Sequence, residues 1–247
     1  MRKVVLITGA SRGIGRACAL LAAGNGWDVV VNFASNEVAA FETVAAVEAT
    51  GQRALAVQGD VGSEADVLRL YDAVDRFGTL DALVNNAGVV DQPARVDEMS
   101  LTRLERMFRI NVTGSFLCAR EAIRRMSTRH GGKGGTIVNL GSMASVLGAP
   151  GQYVDYAAAK GAIDAMTVGL GRELAGEGIR VNAVRPGIID TEIHASGGIP
   201  DRVERLRDQI PMKRAGTDRE VAEAVIWLMG EASSYTTGSV ITVAGGR

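Results

Sequence analysis

A chain of 247 residues, 47% hydrophobic and only 22% charged, can bury a large core and falls within the size range of one α/β domain. Its net charge of −1 excludes the basic footprint of a nucleic-acid binder. No apolar run approaches the roughly 18 residues of a membrane span, and the short apolar start after Met1-Arg2-Lys3 ends at Gly9, so a soluble cytoplasmic protein is expected.

From the amino end, β-branched runs at 4–8, 28–32, 54–58, 82–84, 136–140, 180–184 and 240–243 alternate with helical patterns near 13–24, 37–50, 64–77, 101–128, 152–176 and 218–230. Several of the runs are apolar on both faces, as parallel strands covered on each side must be. This alternation predicts an α/β doubly wound Rossmann fold: a seven-stranded, mostly parallel sheet with helices on both faces. All five prolines fall between the segments and nothing reads as a linker or repeat, so residues 1–247 are expected to form a single domain. Cys18 and Cys118 sit inside apolar helical patterns and are read as small buried hydrophobes in a reducing compartment. Arg120, Arg124, Arg125, Arg129 and Lys133 cluster where a helix should end, which suits its dipole; a docking patch for an acidic partner is the other reading.

The first strand–helix junction reads Thr8-Gly9-Ala10-Ser11-Arg12-Gly13-Ile14-Gly15. Glycines there let the backbone turn sharply and approach a ligand, while helix-terminal amides can receive a pyrophosphate. Tight turns also use glycine for steric reasons alone. The second strand ends Val31-Asn32-Phe33-Ala34-Ser35-Asn36, without the acidic residue that bonds the ribose 2′-hydroxyl in NAD enzymes. A 2′-phosphate could instead meet Arg12, Ser35 and Asn36. NADP(H) is therefore favoured and NAD(H) remains possible; the plain alternative is that Arg12 faces solvent.

Tyr156 and Lys160 are four residues apart, one turn of helix, so a lysine cation could lower the phenol's pKa and ready it for proton transfer. Ser142 ends the fifth strand, where its hydroxyl would enter the crevice and orient a carbonyl. Asn111 lies inside a helical pattern among apolar neighbours, which predicts burial. Tyr153 has Ala157 rather than a lysine four residues on, and is read as pocket lining. The stretch after Asp190 carries paired glycines and prolines, as a substrate lid near 190–214 would, with His194 as one of its polar groups. With two histidines in the chain and no ligand cluster, no metal site is expected.

These motifs, together with Asp60-Val61, Asn85-Asn86-Ala87-Gly88 and Pro186-Gly187, resemble the short-chain dehydrogenase/reductase family, in the family's order over nearly the whole chain. The resemblance implies a dinucleotide site in which Gly9, Ser11, Arg12, Gly13, Ile14 and Gly15 line the phosphates. Ser35 and Asn36 would lie at the 2′ position, Asp60 and Val61 at the adenine, and Asn86, Ala87 and Gly88 along the cofactor. Pro186, Gly187, Ile189 and Thr191 would lie toward the nicotinamide, and Asn85 would steady the sheet. Asp60 could instead cap the next helix, although Ser63 is the better placed N-cap. The resemblance also implies a catalytic set of Asn111, Ser142, Tyr156 and Lys160, with Lys160 on the nicotinamide ribose beside Tyr156 and Asn111 distorting its helix and holding a water beside the lysine. Ser142, Tyr153, Tyr156 and His194 would face substrate.

Two departures stand out. The Ser142–Tyr156 spacing of fourteen is slightly longer than the family's, and a glycine run, Gly131-Gly132-Lys133-Gly134-Gly135, precedes the fifth strand. The expected activity is hydride transfer between NADP(H) and a small-molecule carbonyl or alcohol: a ketone, sugar or polyol. A 3-oxoacyl-[acyl-carrier-protein] reductase is the alternative, with Arg129 available to an acidic carrier but Glu177 opposing it. A non-catalytic NADP-binding sensor or scaffold is the reading from another class. A homotetramer built through the helices near 101–128 and 152–176 is implied by the resemblance.

Overall fold

The apolar runs form seven strands: β1 (Lys3–Ile7), β2 (Trp27–Phe33), β3 (Ala54–Gln58), β4 (Leu80–Asn85), β5 (Gly135–Leu140), β6 (Ile179–Pro186) and β7 (Val240–Val243). The computed structural model describes residues 2–192 and 196–247. Its one sheet has the order β3-β2-β1-β4-β5-β6-β7, and every neighbouring pair is parallel, so the sheet is wholly rather than mostly parallel. The chain steps outward from β1 to β3, then crosses back to lay β4 on the other side of β1. That reversal opens a crevice at the carboxyl ends of β1 and β4, where ligands of such sheets bind.

The helices are α1 (Gly13–Gly24), α2 (Glu37–Glu48), α3 (Glu64–Phe77), α4 (Leu101–Phe108), α5 (Gly114–Met126), α6 (Ala144–Leu147), α7 (Val154–Glu173), α8 (Arg202–Leu206) and α9 (Asp218–Met229). Alternate residues of β1 and β2 feed two cores. Val5, Ile7, Val29 and Val31 pack with α1, α2 and α9 on one face. Val4, Leu6 and Val30 pack with α3, α5 and α7 on the other. Each fully buried Val or Leu contributes about 1.5–3 kcal/mol, so the central strands carry much of the stability. Among the described residues, no helix is long and apolar enough to cross a membrane.

Helix starts follow their capping chemistry. Asn36 Oδ1 accepts from the Ala39 amide (3.1 Å), and Ser63 Oγ from that of Asp66 (3.4 Å). Thr217 and Glu220 form a reciprocal capping box at α9. The α1 start is different: Arg12 holds the N-cap position, no side chain caps the helix, and its first turn holds no acid. The helix that opens onto the crevice thus keeps its amides for something else.

Three expectations need adjusting. The helix expected over 101–128 is two helices joined by a π-helical turn at Arg109–Thr113, and it ends at Met126. The long helix expected over 152–176 runs Val154–Glu173. The basic cluster is largely neutralised: Arg120, Arg124 and Arg125 converge on Glu121, whose side chain is 4% exposed, and Arg125 also pairs with Asp75 at 2.7 Å. The cysteines are buried and free as expected, and burial pushes the Cys118 thiol up to about 12.

Candidate active site

The crevice is held open by polar ties between strand ends. Thr8 Oγ1 accepts from the amides of Asn86 (3.0 Å) and Ala87 (2.9 Å), and Asn86 Nδ2 donates back to the carbonyls of Thr8 and Gly9. On the other side, Asn32 Oδ1 accepts from the Gly9 amide while its Nδ2 donates to the Val57 and Gly59 carbonyls. These bonds fix the glycine turn between β2 and β4. The turn also needs its glycines: a Cβ on Gly15 would lie 2.5 Å from Asn86 Nδ2 and from the Gly9 carbonyl oxygen.

Along the turn runs a cleft of about 780 Å³. Its walls bring together Gly9, Ser11, Arg12, Gly13, Ile14, Gly15, Ser35, Asn36, Asp60, Val61, Asn86, Ala87, Gly88 and Thr191, all expected from the sequence at the cofactor. The donors suit a dinucleotide phosphate: uncapped α1 amides, the Arg12 guanidinium, and the amide NH2 of Asn36, whose oxygen is committed to α2. Asp60 does not cap α3. Its carboxylate accepts from the Gly62 amide and pairs with Arg109 at 2.7 Å, which offsets one of the two acids on the wall. The other, Glu192, stands over Gly13. Arg12 is exposed on this wall, with its Nη2 3.4 Å from Ser196 Oγ.

A second cavity of about 520 Å³ adjoins the first, sharing Ile14, Asn86, Gly88 and Thr191 with it. Ser142, Tyr153, Tyr156, Lys160, Pro186, Gly187 and Ile189 line it. The i, i+4 spacing does place Tyr156 and Lys160 together on α7, with Nζ 5.7 Å from the ring centroid. The expected electrostatics are reversed, however. Tyr156 opens one edge to the pocket but is otherwise enclosed, and that enclosure raises the phenol above its ordinary 10.0; the Ser142 hydroxyl beside it and the Arg202 charge pull the other way. Burial outweighs both, and the Lys160 Nζ beside the ring donates to the Leu140 carbonyl at 2.6 Å. Burial lowers the amine from 10.5 to about 8, with Asp164 opposing.

Asn111 lines neither cavity. It sits fully buried at the π-helical turn, where Nδ2 donates to the Met107 and Val89 carbonyls and Oδ1 accepts from the Val89 amide (3.1 Å). The side chain thereby holds the segment next to Gly88. A Cβ on Gly88 would come within 2.7 Å of Asn111 Oδ1 and 3.6 Å of Lys160 Nζ, so the glycine keeps the space between those two groups open. Asn85 bridges β4 to β5 through Asn139 Oδ1 at 3.0 Å.

Some residues of the site escape the sequence reading. Asp155, next to Tyr156, has a wholly buried carboxylate held bidentately by Arg103 at 2.8 and 3.2 Å, and Arg103 also donates to the Gln92 carbonyl. This clamp fixes the start of α7 to α4 and to the chain at Gln92. The signal available was an acid in the first turn of a helix otherwise apolar at its start; its partner, 52 residues earlier, is invisible to spacing. Asn32 and Arg202 were likewise missed. Tyr153 is buried in the pocket wall, its hydroxyl 3.4 Å from the Gly197 carbonyl. His194, expected as a polar group of the lid, lies outside the described residues. Among the described residues, no group of three or more His, Cys, Asp or Glu side chains could hold a metal ion.

Similarity to known proteins follows the same lines. A family model for enoyl-(acyl carrier protein) reductase matches residues 9–247. The uncharacterized oxidoreductase YgfF of Escherichia coli is 51% identical over 99% of both chains. Glucose 1-dehydrogenase 2 of Bacillus subtilis is 38% identical over 99% of this chain and 94% of its own. Among solved structures, a short-chain dehydrogenase from Burkholderia cenocepacia in complex with NADP superposes with a TM-score of 0.91 at 32% identity, covering 100% of this chain and 98% of that one.

Proposed function

The chain belongs to the short-chain dehydrogenase/reductase family of oxidoreductases, and on that premise we propose that it transfers a hydride between NADP(H) and the carbonyl or alcohol carbon of a small polar substrate. The observation that carries the reading is the junction of the two cavities, where Ser142, Tyr156 and Lys160 meet the wall shared with the dinucleotide cleft. The bound nicotinamide supplies or accepts the hydride; the protein's share is binding, orientation and proton transfer. Ser142 Oγ, positioned by the Ala144 amide at 3.1 Å, hydrogen-bonds the substrate oxygen. Tyr156 Oη gives its proton to that oxygen during reduction and takes one during oxidation. Lys160 holds the ribose, and Asn111, through the 88–89 segment, keeps the space beside the amine.

The raised phenol gives the two directions different pH dependences. A protonated phenol is ready to donate throughout the neutral range, so reduction should be nearly level from pH 6 to 8. Oxidation needs the phenolate and should rise by about tenfold per pH unit below the phenol's pKa. Rate profiles in both directions check this; a level oxidation profile over that range would contradict the role of Tyr156.

NADP(H) is supported by the absence of an acid at the end of β2 and by Arg12, Ser35 and Asn36 on the cleft wall. Arg12→Ala should raise KM for NADPH by about tenfold, the worth of one charge-assisted hydrogen bond, and KM for NADH by much less. A panel of carbonyls assayed with NADPH and NADH tests cofactor and substrate together; a preference for NADH that survives in Arg12→Ala would overturn the choice of cofactor.

A 3-oxoacyl-carrier reductase is less well supported. Arg129, the cation available to an acidic carrier, lies 3.9 Å from Glu177. Equal rates on free and carrier-bound thioesters would exclude that role. Tight NADPH binding with no turnover on any carbonyl would favour a sensor. Residues 190–214 serve as a lid in this reading, tied to the body through Arg12–Ser196, Tyr153–Gly197 and Arg202–Gln152. Exposed Phe108 on α4 and Phe116 on α5 support one of the two helical faces of a homotetramer, which sedimentation would test.

A further inference from the structure

The wall of the substrate cavity is electrically one-sided. Among the described residues it carries no Asp or Glu, yet three cations, Lys160, Arg202 and Arg247, line it. Lys160 is committed to the Leu140 carbonyl. The arginines differ from their neighbours in the fold. Arg205 pairs with Asp201, Arg214 with Glu220 and Arg185 with Asp164, all within 3 Å, whereas Arg202 and Arg247 make no ion pair among the described residues. Arg202 is nevertheless fixed in place. Its Nη1 donates to Gln152 Oε1 at 2.8 Å, and its guanidinium lies 5.0 Å from the centroid of the Tyr153 ring. Both partners are neutral, so they orient the guanidinium without cancelling its charge. Most of its five N–H donors remain for a ligand.

Arg247 is half-buried on the same wall, and burial first, then the Arg202 charge, lowers its affinity for a proton. Two like charges that sense each other across a pocket lined by no Asp or Glu side chain are stabilised by an anion between them. Gln152, Tyr153, Tyr156 and Arg202 line this one cavity, and the Arg202 charge acts on the Tyr156 phenol, so the guanidinium is held on the side of the cavity that carries Tyr156. Resting on the hydride-transfer reading above, we propose that the substrate carries a carboxylate or phosphate group as well as its carbonyl or alcohol, and that Arg202 and Arg247 hold that anion while the oxygen to be reduced faces Ser142 and Tyr156. The substrate class is then an oxo or hydroxy acid, or a phosphorylated ketone, rather than a neutral ketone or free sugar.

Calorimetric titration of the protein saturated with NADP+ tests this, because an oxo compound cannot turn over on the oxidised cofactor. Acetoacetate is compared with methyl acetoacetate, and 2-oxopropylphosphonate with its dimethyl ester; none of the four carries an alcohol to oxidise, and the two pairs separate a carboxylate from a phosphate-like group. The expected result is that one anion binds at least about tenfold more tightly than its neutral partner, as a charge-assisted hydrogen bond supplies. Arg202→Met and Arg247→Met should each reduce that preference severalfold, and Arg202→Lys should keep part of it. Equal affinities within both pairs, or a preference unmoved by both methionine variants, would overturn the proposal. Steady-state reduction of the same compounds separates the two layers. Reduction of the neutral ketones with no advantage for the anions removes only the anion site. Anion-selective binding with no reduction by NADPH or NADH supports the site and removes the hydride-transfer reading.

Discussion

Replacing Tyr156 by phenylalanine is expected to lower kcat/KM by about 10³-fold, within the range a positioned general acid contributes. The substitution removes one oxygen and little else. The ring keeps its place beside Lys160, whose amine remains on the Leu140 carbonyl, and Ser142 keeps its bond from the Ala144 amide. Cofactor affinity should therefore change by less than about threefold, since no phosphate-binding group is touched. Tyr153→Phe provides the control. That hydroxyl bonds the Gly197 carbonyl at 3.4 Å and also meets Arg202, whose contact with the ring survives, so turnover should fall by less than about tenfold. Stopped-flow hydride transfer and cofactor titration on both variants measure these effects. Retention of a tenth or more of wild-type turnover by Tyr156→Phe would remove Tyr156 from the chemistry.

What the sequence disclosed and what it concealed divide along physical lines. Strand runs such as Val4-Val5-Leu6-Ile7 were legible because both sheet faces are buried, so the apolar signal is continuous. The glycine turn, Ser142, and the Tyr156–Lys160 pair were legible because each is local: a junction, a strand end, one helical turn. Asn111 was legible as an anomaly, and the π-helical turn around it is the local distortion expected of it, though the break of one helix into two left no other mark. Long-range pairs left none at all. Asp155 finds Arg103 in another helix, and Asn32 ties two neighbouring strand ends, yet neither partner is fixed by spacing. The direction of the Tyr156 shift was also hidden. Enclosure of the phenol sets it, and only the fold reveals how deeply that ring is enclosed.

Lys160→Met is expected to abolish activity to a similar degree while leaving the protein more stable at pH 7. The amine is 5% exposed and burial holds it at about 8 instead of 10.5, so keeping it charged costs the fold about 3 kcal/mol. Methionine is of similar length and adapts its shape to the same channel. Against that gain, the Leu140 carbonyl loses a partner, which costs about 1–2 kcal/mol. The net gain is about 1–2 kcal/mol at pH 7. The sign reverses with pH. A lysine whose folded pKa lies below its unfolded value weakens the native state fully below about 8, and the penalty fades as pH rises toward 10.5, where both states are neutral. The wild type should therefore overtake the variant near pH 10, when the amine still donates to Leu140 but no longer carries a buried charge. Urea denaturation at pH 7 and pH 10 reads this crossover directly. If the difference between the two proteins were the same at both pH values, the buried charge would cost nothing and Lys160 would be there for packing. If the crossover appears with activity lost, the fold is carrying a destabilising cation for the sake of its chemistry.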